Sequence, residues 1–236
     1  LEAGSGGHAS VAADLARRFG PDGATGVRIN TALRRGGTAV DHEKAKLGLA
    51  SVGLDWRSRD VRLSGDVGYQ DNRLDRTRPN VTLGTGVTAV PTPPGPDTNF
   101  AQPWTFSNER DLFGTLRGEW DITPAATAWA AYGLRRSKEE NSLANLTVTD
   151  AASGAGNVAR FDNTRKDKVD TGELGLRGRL RTAGIGHEWV AAANWFRLDL
   201  RSAFAFDFAN SLANNLYRPT FHPRPDFSAA TFVGGA

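Results

Sequence analysis

The chain has 236 residues, with 29 Lys and Arg against 26 Asp and Glu for a formal net charge of +3, and it contains neither Cys nor Met. So small an imbalance, scattered along the chain, offers no basic patch to nucleic acid, and the lack of Cys excludes disulfides, thiolate metal sites and cysteine nucleophiles. Apolar residues are 39% of the chain and Gly numbers 27; the longest apolar run, around Trp189 to Phe196, is interrupted by Asn194 and falls far short of the roughly 20 residues of a spanning helix.

Period-2 alternation predicts eight strands. The first covers 8–18 and leads through Gly20-Pro21-Asp22-Gly23 into a second over 25–35, where Val27, Ile29, Thr31 and Leu33 alternate with Arg28, Asn30, Ala32 and Arg34. A third, 44–56, sets Ala50, Val52, Leu54 and Trp56 on one face. A fourth, 60–73, is the clearest: Val61, Leu63, Gly65, Val67 and Tyr69 oppose Arg62, Ser64, Asp66, Gly68 and Gln70. The fifth, 109–121, places Leu112, Leu116 and Trp120 away from Asp111, Thr115, Arg117 and Glu119, with Phe113 as an exception on the polar face. Strands over 126–137, 169–181 and 187–200 complete the set.

The connections alternate in length. Short turns follow the odd-numbered strands, at Gly20–Gly23, 57–59, 122–125 and 182–186, while longer links follow the even ones, at 36–43, 74–108, 138–168 and from Arg201 onward. Pro91-Thr92-Pro93-Pro94-Gly95-Pro96 cannot continue a ladder, and Ala151 to Asn157 is small and polar. One apolar face, one polar face and loops elaborated at a single rim predict an all-β, antiparallel transmembrane barrel segment of about eight strands, with short periplasmic turns and long extracellular loops. Trp56 and Trp120, both beside short turns, suit an interfacial aromatic belt, or alternatively the caps of an ordinary core. A closed eight-stranded barrel of structural or adhesive role and a soluble β-sandwich binding module are the competing architectures.

Residues for chemistry are scarce. His8, His42, His187 and His222 are far apart, and in Asp41-His42-Glu43 neighbouring side chains of an extended segment point to opposite sides. Gly4-Ser5-Gly6-Gly7 lacks the Lys and hydroxyl of a phosphate loop and reads as a flexible join. Glu139-Glu140 reads as solvated surface, and no nucleophile, base and orienter set can be assembled. The expectation is a protein that is not an enzyme, with no metal site and no cofactor.

Several phrases resemble the barrel of TonB-dependent siderophore receptors. They include Ala13-Asp14-Leu15-Ala16-Arg17-Arg18-Phe19-Gly20, Thr25 to Asn30, Leu49 to Arg57 and Asp66-Val67-Gly68-Tyr69-Gln70, then Asn99-Phe100-Ala101-Gln102-Pro103-Trp104, Glu119 to Thr123, Gly186 to Trp189 and Asn215-Leu216-Tyr217-Arg218-Pro219. The resemblance implies that residues 1–236 form a partial barrel domain following a plug, one stretch of a wall of about 22 strands. It also implies a bacterial outer-membrane location, contact with outer-membrane lipid, a ferric siderophore as transported ligand, and energy from the TonB complex acting through the plug. On that reading the loop aromatics and arginines are the groups suited to an anionic or aromatic ferric complex: Phe100, Trp104 and Phe106, Arg160 and Phe161, and Tyr217, Arg218 and Phe221. The competing role for each is packing within its own loop.

Overall fold

The computed structural model describes residues 2–4 and 7–226. They form one sheet of eleven strands: β1 Glu2–Gly4, β2 His8–Phe19, β3 Thr25–Gly37, β4 Lys44–Arg57, β5 Val61–Asp75, β6 Val81–Leu83, β7 Phe106–Thr123, β8 Ala126–Val148, β9 Ala155–Thr182, β10 Ile185–Phe206 and β11 Leu212–Asn215. The main path runs β1-β2-β3-β4-β5-β7-β8-β9-β10, each strand antiparallel to the next. β6 adds beside the top of β8 in parallel, and β11 beside the top of β9. All eight strands expected from alternation are present.

The sheet does not close among the described residues: no pairing joins β10 to β2, and no second sheet covers it. Eight strands thus do not form a barrel by themselves here, and there is no sandwich. Both edges carry unpaired backbone groups, a hazard that closure with further strands removes.

The register, shifted only at Asp121/Thr123 between β7 and β8, shows why the two faces differ. Leu33, Ile29, Val52, Leu54, Val67, Leu63, Leu116, Tyr132, Leu174 and Leu176 fall on one side and are exposed there, Leu116 at 62% and Leu174 at 65%. An apolar face with no protein opposite it is the lipid side of a barrel wall. Trp56, Trp120 and Trp189 lie on it near the short turns, while Tyr69, Tyr132 and Trp195 mark its other margin. From Ile185 to Trp195 the strand rises about 33 Å, or about 25 Å at a tilt of roughly 40°, which matches the apolar band of an outer-membrane barrel. The tryptophans therefore belong to a belt and cap no core.

The opposite face is laced with ion pairs. Arg18 pairs with Asp55 at 2.6 Å, Arg62 grips Asp121 at 2.7 and 2.8 Å, and Glu119 receives Arg62, Arg117 and Arg177. Phe113 stands on this polar face as expected, its ring lying over Gly68, where a Cβ would approach to 2.4 Å.

Three connections differ from expectation. The segment 138–168 is no loop: β8 and β9 extend without register shift to a turn over 149–154, making one tall hairpin. β10 continues past Leu200 to Phe206, and β11 follows. Gly4 is not part of a loose join, since β1 pairs with β2 from Glu2↔Ser10 to Gly4↔His8; Ser5 and Gly6 lie outside the described residues. The link 74–108 is a long loop holding only the short β6, and 36–43 is a tight reversal. At the short-turn rim, Ala183 and Gly184 take φ of 50° and 83°, the twist a two-residue hairpin needs.

Candidate ligand-binding surface

The long-loop rim is a fastened plate. The tall hairpin presents Ala144, Leu146, Val148 and Val158, and onto them pack Phe100 from the β5–β7 loop and Leu216 from the segment after β11, with Trp104, Leu212 and Tyr217 around them. Loops this long carry backbone groups that must find partners once buried, and buried amides supply them. Gln102, with no exposed surface, donates to the Thr220 carbonyl and accepts from the His222 N–H, each at 2.8 Å. Asn99 donates to the carbonyls of Asp41 and Arg76, and Asn214 accepts from the N–H groups of Asn215 and Thr220. The Tyr217 hydroxyl donates to the Thr92 carbonyl at 2.9 Å. Segments more than a hundred residues apart are thereby held as one surface.

The eight candidates separate into five settings. Phe100, Trp104 and Tyr217 come together in the packed cluster, with Phe100 6% exposed. Arg160 is also buried; it pairs with Asp162 and donates to the Pro225 carbonyl, while Arg224 joins Asp162 at 3.3 Å. Phe161 points to the opposite side of the hairpin from Val158 and Arg160, against Phe204 and Phe206 with ring centroids 6.1 and 6.0 Å apart. Phe106 lies under the Arg73 guanidinium at 4.2 Å, and Phe221, 47% exposed, under that of Arg76 at 4.4 Å. Arg218 is exposed, its backbone N–H held by Asn215.

Arg76 is the group that sequence reading passed over. Burial pushes its guanidinium below the ordinary arginine range, and its Nη2 is buried without a hydrogen-bond partner. A cation placed so, stacked on an accessible phenyl ring, is poised for an anion or an aromatic anion. No motif marks it. The phenylalanine ladder was passed over as well, although Phe204, Phe206 and Phe208 recur at every second position; the rings of Phe206 and Phe208 lie 4.8 Å apart. In the hairpin turn, the Ser153 hydroxyl and the Ala152 N–H hold the Asp150 carboxyl below its usual range. No cluster of three metal-ligating side chains occurs among the described residues.

This geometry can be set beside known proteins. No family model matches the chain. The ferrichrome receptor FcuA of Yersinia enterocolitica is 31% identical over 221 residues, which is 93% of this chain and 28% of that protein. The crystal structure of BauA, the ferric preacinetobactin receptor of Acinetobacter baumannii, superposes with a TM-score of 0.87 at 26% identity, over 97% of this chain and 35% of that one. The chain is homologous to the barrel wall of outer-membrane siderophore receptors. Two further structures share the fold at 14% identity: the siderophore receptor PiuA of A. baumannii, with a TM-score of 0.80, and the ferripyoverdine receptor of Pseudomonas aeruginosa, with 0.78, each over 98% of this chain and 36% and 32% of theirs. These homologues are receptors, not enzymes, and the chain spans about a third of their length or less.

Proposed function

We propose that residues 1–236 are a partial barrel domain of a receptor that binds a ferric siderophore at its outer face and imports it with energy from TonB. The observation that carries the reading is the sequence relationship to a ferrichrome receptor across 93% of the chain, joined to a sheet whose apolar face is left to lipid. The two unpaired edges call for the remaining strands of a larger barrel, and TonB coupling follows from the kinship through a plug.

Within this reading the loop residues divide their work. Phe100, Trp104, Tyr217 and Arg160 set the shape of the outer surface from within, and Phe106 braces Arg73. Phe161, Arg218 and Phe221 meet the ligand, with Arg76 behind Phe221 supplying charge. Energised uptake of radiolabelled ferric siderophore by cells carrying the full-length receptor tests this. An Arg76→Ala, Arg218→Ala, Phe221→Ala triple variant should lose at least tenfold in apparent affinity while reaching the membrane in normal amount, and deletion of TonB should abolish uptake by the parent. Unchanged affinity in the triple variant would remove these residues from the site; TonB-independent uptake would remove the transport reading.

A further inference from the structure

One strand departs from the alternation that shapes the wall. On β10, Trp189, Ala191, Ala193 and Trp195 stand opposite Gly178, Leu176, Leu174 and Gly172 of β9 and so belong to the lipid side. The register runs unshifted from Ile185 to Phe206, so the residues between them look into the lumen: Val190 faces Arg177, Phe196 faces Thr171 and Phe204 faces Asn163. Elsewhere such positions are polar, as at Arg62, Ser64, Asp66 and Gln70 of β5, which face Glu119, Arg117, Thr115 and Asp111 of β7. β10 sets Val190, Phe196, Leu198 and Leu200 there instead, and all four are exposed, Phe196 at 65%.

The stripe continues to the outer rim. Phe204, Phe206 and Phe208 prolong it, with Phe161 of β9 beside the first two, ring centroids 6.1 and 6.0 Å away, and Phe208 88% exposed. Ala203 and Ala205, which alternate with these rings, are buried on the other side, so the ladder stands out from a fixed strand. A polar rail runs alongside on β9, where Asp167 lies opposite Leu200, Arg165 opposite Ser202 and Asn163 opposite Phe204, with Arg165 paired to Asp167 at 2.9 Å.

Lipid cannot answer for this surface, because lipid lies behind the strand. A contiguous exposed apolar patch on a face otherwise polar marks a place where something apolar is met. Its shape is a track: from Phe206 to Val190 is about 53 Å along the strand, or about 40 Å at barrel tilt. Same-face side chains recur about every 7 Å, roughly the width of an aryl ring, and only Ala192, Asn194 and Ser202 interrupt them. Neighbouring sites that are alike, none of them strong, let a ligand pass from one to the next.

We propose that the lumen-facing stripe of β10 is a slide on which the aryl groups of a ferric complex travel from the phenylalanine ladder at the rim down into the barrel. The ladder is continuous with the outer surface that meets the ligand at Phe161, and the rail of Asn163, Arg165 and Asp167 takes the polar edge of the chelate while the stripe takes its rings. The slide rests on the siderophore reading for its cargo and adds the chemistry of that cargo and its route.

The test uses cells carrying the full-length receptor and two probes equal in charge, a ferric trihydroxamate and the same complex bearing a pendant phenyl group. Binding at the outer face is read in cells lacking TonB, and energised uptake in cells that have it. A Phe204→Ser, Phe206→Ser, Phe208→Ser variant should lose about tenfold in affinity for the phenyl-bearing complex, the summed effect of a few aromatic contacts, and less than twofold for the plain one. A Phe196→Ser, Leu198→Ser, Leu200→Ser variant should bind both within twofold of the parent yet import the phenyl-bearing complex about tenfold more slowly, whereas Phe196→Leu, Leu198→Ile, Leu200→Ile should restore its uptake. Unchanged uptake in the serine variant of the middle stripe, or an equal loss for both probes, would overturn the slide and leave the receptor reading standing. A lower melting temperature with loss of outer-face binding in that variant would show instead a packing face for the plug. Binding of neither probe by the parent would overturn the receptor reading and the slide together.

Discussion

Glycine does its work in β9 by yielding space to tryptophan. Gly172, Gly175 and Gly178 each sit directly opposite an indole, those of Trp195, Trp129 and Trp189, and a Cβ on any of them would fall 2.1, 2.1 and 2.7 Å from ring atoms. Two of these indoles lie on the lipid side and one on the polar side, where Trp129 donates to Glu173. Glycine weakens a strand by itself, and the ring laid across it restores cross-strand contact. Gly175→Ala should therefore displace Trp129, release Glu173 and lower the melting temperature of the refolded receptor, with a red shift of tryptophan emission. The same substitution at Gly186, which has open space beside it, should change neither. An unshifted spectrum for Gly175→Ala would mean that the indole does not rest on the strand.

At the scale of elements, the membrane-crossing strands were legible because lipid demands one apolar side chain in two, and Val61 to Tyr69 shows that demand plainly. The upper parts of β8 and β9 were hidden for the same reason in reverse. Residues such as Asn157, Asp162, Asn163 and Arg165 stand beyond the apolar band, so the alternation fades while the hydrogen-bond ladder continues. What buries Ala144, Leu146 and Val158 is Phe100 and Leu216, distant in sequence, and no local pattern announces such a lid. The candidate site was half legible. Aromatic and arginine content marked the right loops, but whether a side chain packs inward, as Phe100 does, or outward, as Phe221 does, depends on those long-range contacts. Arg76 was invisible, since its partial burial and its stacking over Phe221 are properties of the assembled plate. Gln102 is the latch between the two loops. Gln102→Ala should leave the Thr220 carbonyl and the His222 N–H without partners, cost about 2 kcal/mol, and speed hydrogen exchange across Leu212 to Asp226 while the exchange of β3 to β5 stays as it was. Equal exchange throughout would show that the amide holds nothing.

For the molecule as a whole, the decisive property is that the apolar residues of one face, over the band from Leu63 to Tyr69 and its neighbours, are exposed with nothing of their own chain upon them. Leu15, Leu33, Leu54, Val67, Leu116 and Leu174 are all exposed, an arrangement that water would penalise by about 25 cal/mol per Å² of apolar surface and that lipid does not. The polar face, with Arg62, Arg117 and Arg177 gathered on Glu119, suits a hydrated lumen. Exposed ion pairs add little stability singly, but a braced lattice of them keeps a wide wall stiff. Single spin labels placed along β5 of the full-length receptor in lipid bilayers test this account most directly. Labels at Leu63, Gly65, Val67 and Tyr69 should be strongly relaxed by lipid-dissolved oxygen and those at Arg62, Ser64, Asp66 and Gln70 by a water-soluble nickel chelate, whereas equal accessibility of neighbouring positions to both would contradict a lipid-facing barrel wall.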